Sequence, residues 1–181
     1  MQGFGDKKKD IRKQNTSQEK LLPNRDQLIS NAFQYHSKGK FKEASDIYKY
    51  LIKNGDYDPR VLTNLGTIYQ QDNDFENAII LYKESIKKFP NTPEAYSNLG
   101  SILIKKNDNK LAEQYLKKAI ELKPDYLMAY SNLVNVYVKD GNLEKAEIYL
   151  RKSIDNNPND ANSYLNLGCV LKEQGKTEEA E

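Results

Sequence analysis

Asparagine stands at positions 64, 98, 132 and 166, each 34 residues from the next, and Ser30 holds the place before the first. A carboxamide donates and accepts hydrogen bonds together, which suits a peptide group that offers C=O and N–H side by side. Asparagine is a mediocre helix former, so propensity alone does not explain its return at a mid-helix position. The same interval places small or polar residues beside it, at Thr67, Ser101 and Asn135, and basic residues farther along, at Lys105 and Lys139. Asn64, Asn98, Asn132, Asn166, Thr67, Ser101, Asn135, Lys105 and Lys139 therefore form the candidate peptide-binding set. Thr63, Ser97 and Ser131 read as neighbouring groove positions, and Arg60 as positive charge at the groove's edge. The competing reading is that the asparagines bond between adjacent repeats.

Other chemistry finds little support. His36 is the only histidine and Cys169 the only cysteine, too few for a common zinc site of three or four ligands. The chain shows no G-x-S-x-G, H-E-x-x-H or Walker-type glycine loop. No catalytic residue, metal or cofactor is expected. His36 reads as a surface residue at the groove margin, and Cys169 as a groove-lining residue with no neighbouring base. Lys49, Lys83, Lys117 and Arg151 form a second, basic series. It reads as a solvated outer face balanced by acids such as Glu84, Glu121 and Glu144.

The elements that must position these residues follow from the period. Ala44, Ala78, Ala112, Ala146 and Ala180 keep the 34-residue interval, as do Leu65, Leu99, Leu133 and Leu167, and Pro90, Pro124 and Pro158. Units of 25–58, 59–92, 93–126 and 127–160 result, with an incomplete fifth at 161–181. Each unit reads as two helices. The first opens after Asp58, Thr92 or Asp160, with Pro59 and Pro93 at its first position, and Asp125 lies one residue early in the fourth unit. It stops at Gly39, Asn73, Asn107, Gly141 or Gly175, the residue types that best tolerate a left-handed C′ conformation. A second helix follows, Leu143 to Asp155 in the fourth unit. Gly66, Gly100 and Gly168 allow the two backbones to approach, and Val134 predicts a splayed fourth hairpin.

Tyr96, Leu99-Gly100, Leu103, Ala112, Leu116, Ala119 and Pro124 resemble the tetratricopeptide repeat, and the likeness covers 25–181. The resemblance implies an all-α, right-handed solenoid of antiparallel helix pairs whose concave face is lined by the first helices. The asparagine series is similar to the ladder in the repeat domain of O-linked N-acetylglucosamine transferases, and such ladders occur widely in bacterial arrays. It implies a scaffold that binds an extended protein or peptide segment. Tetratricopeptide domains that hold chaperone C-termini carry a carboxylate clamp of Lys and Arg, but here Thr63, Ser97 and Asn132 occupy those places. Most tyrosines fall on packing columns, which argues against stacking on bases, and no nucleic-acid partner is expected.

Charge and length complete the reading. Residues 1–24 carry six basic and three acidic side chains, which leaves 22 basic and 23 acidic in the array, so the formal +2 belongs to a leader that reads as disordered. No apolar run is long enough for a membrane span or a signal peptide, so no membrane partner is expected, and one cysteine fits a reduced cytoplasm. The chain stops at Glu181, early in a second helix. This predicts self-association through an uncapped last repeat, with Tyr164, Leu167 and Leu171 bare. The alternative is a substrate-recruiting arm of a longer glycosyltransferase or sulfotransferase truncated there.

Overall fold

The computed structural model describes residues 24–176 and 178. The basic leader up to residue 23, and residues 177 and 179–181, lie outside the described part. Asn24, assigned to the leader by composition, is the N-cap of the first helix and accepts a hydrogen bond from Gln27 N–H.

Nine α-helices of 13 or 14 residues lie among the described residues. They are α1 (Arg25–Ser37), α2 (Phe41–Lys53), α3 (Pro59–Gln71), α4 (Phe75–Lys88), α5 (Pro93–Lys105), α6 (Asn109–Leu122), α7 (Leu127–Lys139), α8 (Leu143–Asn156) and α9 (Ala161–Glu173). No strand occurs among the described residues.

Each odd-numbered helix ends as the residue types require. Gly39, Asn73, Asn107, Gly141 and Gly175 all have positive φ, between 59° and 80°. The residue after each donates its N–H to the carbonyl five positions earlier, at 2.8–2.9 Å, as in Asp74 to Tyr69 and Asp108 to Leu103. In the inner units that same residue starts the next helix. The side chains of Asp74, Asp108 and Asn142 accept from the N–H three residues on, whereas Lys40 has no acceptor to offer. One residue thus closes one helix and opens its neighbour.

Two starts differ from expectation. The Thr92 hydroxyl turns back to the Phe89 carbonyl, so α5 lacks a side-chain cap and begins on its proline. In the fourth unit the N-cap is Tyr126, one residue beyond Asp125, and it too caps with no side chain. The second helix of that unit runs one residue past Asp155, to Asn156.

Side-chain size at one column sets how closely each hairpin closes. A Cβ added to Gly66 would lie 2.6 Å from Tyr82 Cε1, and one added to Gly100 would lie 2.7 Å from Leu116 Cγ. α3–α4 and α5–α6 are accordingly the tightest pairs; α1–α2, with Ala32 at that column, is looser, and α7–α8, with Val134, is the loosest.

Successive first helices, α3 with α5 and α5 with α7, pack against one another, while successive second helices scarcely approach. The array therefore curves with its first helices inside. Its core is a strip: a cluster from Ile29 to Leu81 and another from Ala78 to Val170, both in contact with Tyr69. Of the thirteen tyrosines only Tyr50 and Tyr164 are exposed, which places the others in packing positions. Leu171, expected to be bare, is buried, and Leu167 packs half-buried against the core, because α9 rests on α8. Tyr164 stays 50% exposed, where its counterpart Tyr130 is 3% exposed.

Candidate peptide-binding groove

The asparagine series divides into two halves. Asn64 is half-buried and donates from Nδ2 to the Tyr48 hydroxyl of α2 at 3.3 Å. Asn98 is half-buried and reaches the Thr67 hydroxyl of α3 at 3.5 Å. Thr67 donates to the Thr63 carbonyl and sits 3.3 Å from the Tyr82 hydroxyl, which donates to Gln70 Oε1. Burial pushes the Tyr82 phenol up to about 12, so it remains a neutral donor in this chain of bonds. In the first half, then, asparagine carboxamides bond to the preceding repeat.

The second half is open. Asn132 is half-buried, Asn135 and Asn166 are exposed, and none of the three has a hydrogen-bond partner among the described residues. Ser101 is half-buried on the same face. Lys105 and Lys139 are exposed, but the Lys105 ammonium stands 5.1 Å from the Phe75 ring centroid, drawn back toward the preceding repeat.

Several neighbouring assignments change. Ser97 is 0% exposed and does not line the groove, whereas Thr63, only 5% exposed, still edges the inner-face hollow described below. They are small because successive first helices meet there, and farther along that column Ser131 and Leu165 are exposed. Arg60 is not a free edge charge. Its guanidinium holds Asp58 at 2.8 Å and 3.1 Å, and the same carboxylate caps α3 through Arg60 N–H at 2.8 Å. The Arg60 hydrogen bond is the main reason that the Asp58 carboxyl stays ionised below its usual range.

His36 is half-buried rather than superficial. Its ring stands edge-on to Phe41 with centroids 5.4 Å apart, and Nδ1 lies 3.5 Å from the Tyr48 hydroxyl. Desolvation lowers its pKa, so the neutral ring is favoured in this place. Cys169 is exposed. No group of three or more metal-ligating side chains occurs among the described residues.

Arg60 also forms part of a hollow of about 550 Å³ on the inner face, with Phe33, Asn64, Asn91 and Glu94. The guanidinium lies 5.0 Å from the Phe33 ring centroid and forms one wall. Glu94 has no ion-pair partner among the described residues. Sequence reasoning missed Phe33 and Glu94, although the period marked both. Phe33 is the aromatic member of the Thr67–Ser101–Asn135 column, and Glu94 repeats the position of Arg60.

Fold and groove define a tetratricopeptide-type solenoid. Residues 62–181 match the family model of the cilia and flagella-associated protein 70 middle TPR-like domain, and the chain belongs to that TPR-like family. None of the curated proteins matches. Among solved structures, a crystal structure of MamA superposes with a TM-score of 0.71 at 27% identity, over 84% of each chain. MamA from Desulfovibrio magneticus RS-1 gives 0.71 at 24% identity, over 84% of this chain and 86% of that one. PilF of Pseudomonas aeruginosa gives 0.76 at 19% identity, over 86% and 71%, a likeness of fold alone. No helix among the described residues is long and apolar enough to cross a membrane.

Proposed function

We propose that this chain is a protein-interaction scaffold that holds an extended segment of a partner along the inner face of its first helices. The observation that carries this reading is the unpartnered run of Asn132, Asn135 and Asn166 on the face where first helices converge. An extended segment rises ~3.3 Å per residue, and packed helices lie ~8–10 Å apart, so successive carboxamides would meet every third to sixth residue. Three such bonds contribute about 1.5–4.5 kcal/mol before ordering costs, which is millimolar binding at best. Useful affinity must come from a side chain seated elsewhere. The hollow lined by Phe33, Arg60, Asn64 and Glu94 supports that role.

The reading separates the two halves of the ladder. Asn132→Ala with Asn135→Ala should weaken a captured segment about tenfold on a peptide array without lowering the melting temperature, which alanine's better helix propensity should raise slightly. Asn98→Ala should lower stability by about 0.5–1.5 kcal/mol in denaturant melts, because it breaks the bond to Thr67. Equal stability losses in both variants would make the whole series structural. The competing role, as substrate-recruiting arm of a longer enzyme, uses the same face and differs only in what is attached to it. The single cysteine supports placing the scaffold in a reduced cytoplasm.

A further inference from the structure

The outer face carries a second recess. Because second helices scarcely approach each other, a hollow of about 270 Å³ opens between α2 and α4 with α3 as its floor. Ile52, Ile80 and Leu81 form its walls and Leu65 and Tyr69 its base, with Lys49 and Lys53 at the rim. Ile80 is 60% exposed and stands at the wall of the recess, where a partner's apolar side chain can reach it.

The basic series is not uniform around it. Lys117 is paired with Glu113 at 2.6 Å and Arg151 with Glu147 at 2.9 Å, each carboxylate one turn earlier on the same helix. One turn before Lys49 and Lys83 stand Ser45 and Ile79, which offer no charge. Neither Lys49 nor Lys53 has an ion-pair partner among the described residues, and the Lys49 ammonium stands 5.2 Å from the Tyr69 ring centroid, over the recess. Of the nearby acids, Glu76 is engaged by Lys106 at 2.9 Å, Glu84 lies 3.9 Å from Lys88, and Asp46 and Glu43 are exposed on α2. The hollow between α6 and α8 makes the contrast. Gln114, Lys117, Lys118, Glu121 and Lys152 line it; both α6 lysines are already paired there, and only Lys152, 5.0 Å from the Tyr149 ring centroid, has no ion pair among the described residues.

We propose that the α2–α4 hollow is a docking site for a partner protein segment that presents one bulky apolar side chain flanked by carboxylates. The apolar side chain fills the recess against Ile80 and Tyr69, and the carboxylates meet Lys49 and Lys53. The site lies on the face opposite the groove and stands or falls independently of it.

The probe is a short peptide with one phenylalanine flanked on each side by glutamates, titrated into the isotope-labelled full chain. Amide shifts should concentrate at residues 49–53 and 77–81. The same peptide with glutamines in place of glutamates should bind about threefold or more weakly. Lys49→Glu with Lys53→Glu should cost about fivefold, and the exposed Ile80→Asp about tenfold, both with unchanged melting temperature. Asn132→Ala with Asn135→Ala should leave this binding untouched. Absence of localised shifts, equal binding of the glutamine peptide, or shifts confined to the inner face would overturn the proposal. So would a response to phosphatidylserine vesicles without one to the peptide.

Discussion

Asn73 at φ 60° and Asn64 in mid-helix draw on different properties of one side chain. The first tolerates a left-handed backbone, and the second supplies a donor to Tyr48. Glu147 shows a similar concentration of roles. It accepts from Arg151 on its own helix and from Lys176 in the turn after α9, at 2.9 Å and 2.8 Å. Those bonds hold its pKa near about 2, against an ordinary 4.5. A carboxyl depressed in the folded state contributes stability above its unfolded pKa and loses it as pH falls through the folded value. The contribution of Glu147 is therefore complete above about pH 5 and fades toward pH 2. His36 acts in the same direction at higher pH, since its depressed pKa makes protonation below about 6.5 destabilising. Thermal melts should show stability falling between pH 5 and 2, with a shallower fall in Glu147→Gln. An unchanged slope in that variant would show that the C-terminal turn does not depend on the Glu147 pair.

At the scale of the element, the hairpin is controlled by the column of Ala32, Gly66, Gly100 and Val134. Gly100→Ala gains about 1 kcal/mol of helix propensity but drives a methyl into the fully buried Leu116. Overpacking costs about 1–3 kcal/mol, so the variant should be destabilised by up to about 2 kcal/mol in denaturant melts. A stabilised variant would mean that α5 and α6 can separate freely. This level was the most legible in the sequence. Helix stops at Gly39, Asn73, Asn107, Gly141 and Gly175 depend on backbone conformation, and the close approach at Gly66 and Gly100 on side-chain volume, both of which residue type encodes locally. The site was less so. Whether Asn98 bonds to Thr67 or faces a ligand depends on how the next repeat docks, and a column of identical residues does not report that. Ser97 misled for the same reason, being small for packing where polarity suggested a lining. Phe33 was missed because an aromatic among small polar equivalents looks like core.

Across the whole molecule, the curvature that brings first helices together parts the second ones and opens the outer recess. The same repeat stacking explains the exposed Tyr164 and Leu165, the latter 68% exposed at the column where Ile29, Thr63 and Ser97 are covered. Self-association through that helix predicts a concentration-dependent dimer in sedimentation experiments that Leu165→Glu abolishes; an unchanged association state in the variant would exclude this face. The central claim is that partners lie along the inner face. A photo-reactive amino acid placed at the exposed, unpartnered Asn135, with Glu144 on a second helix as control, tests it most directly. The account predicts cross-links from position 135 to extended segments of other proteins, in clear excess over position 144. Equal yields at the two positions, or adducts at 144 alone, would contradict it.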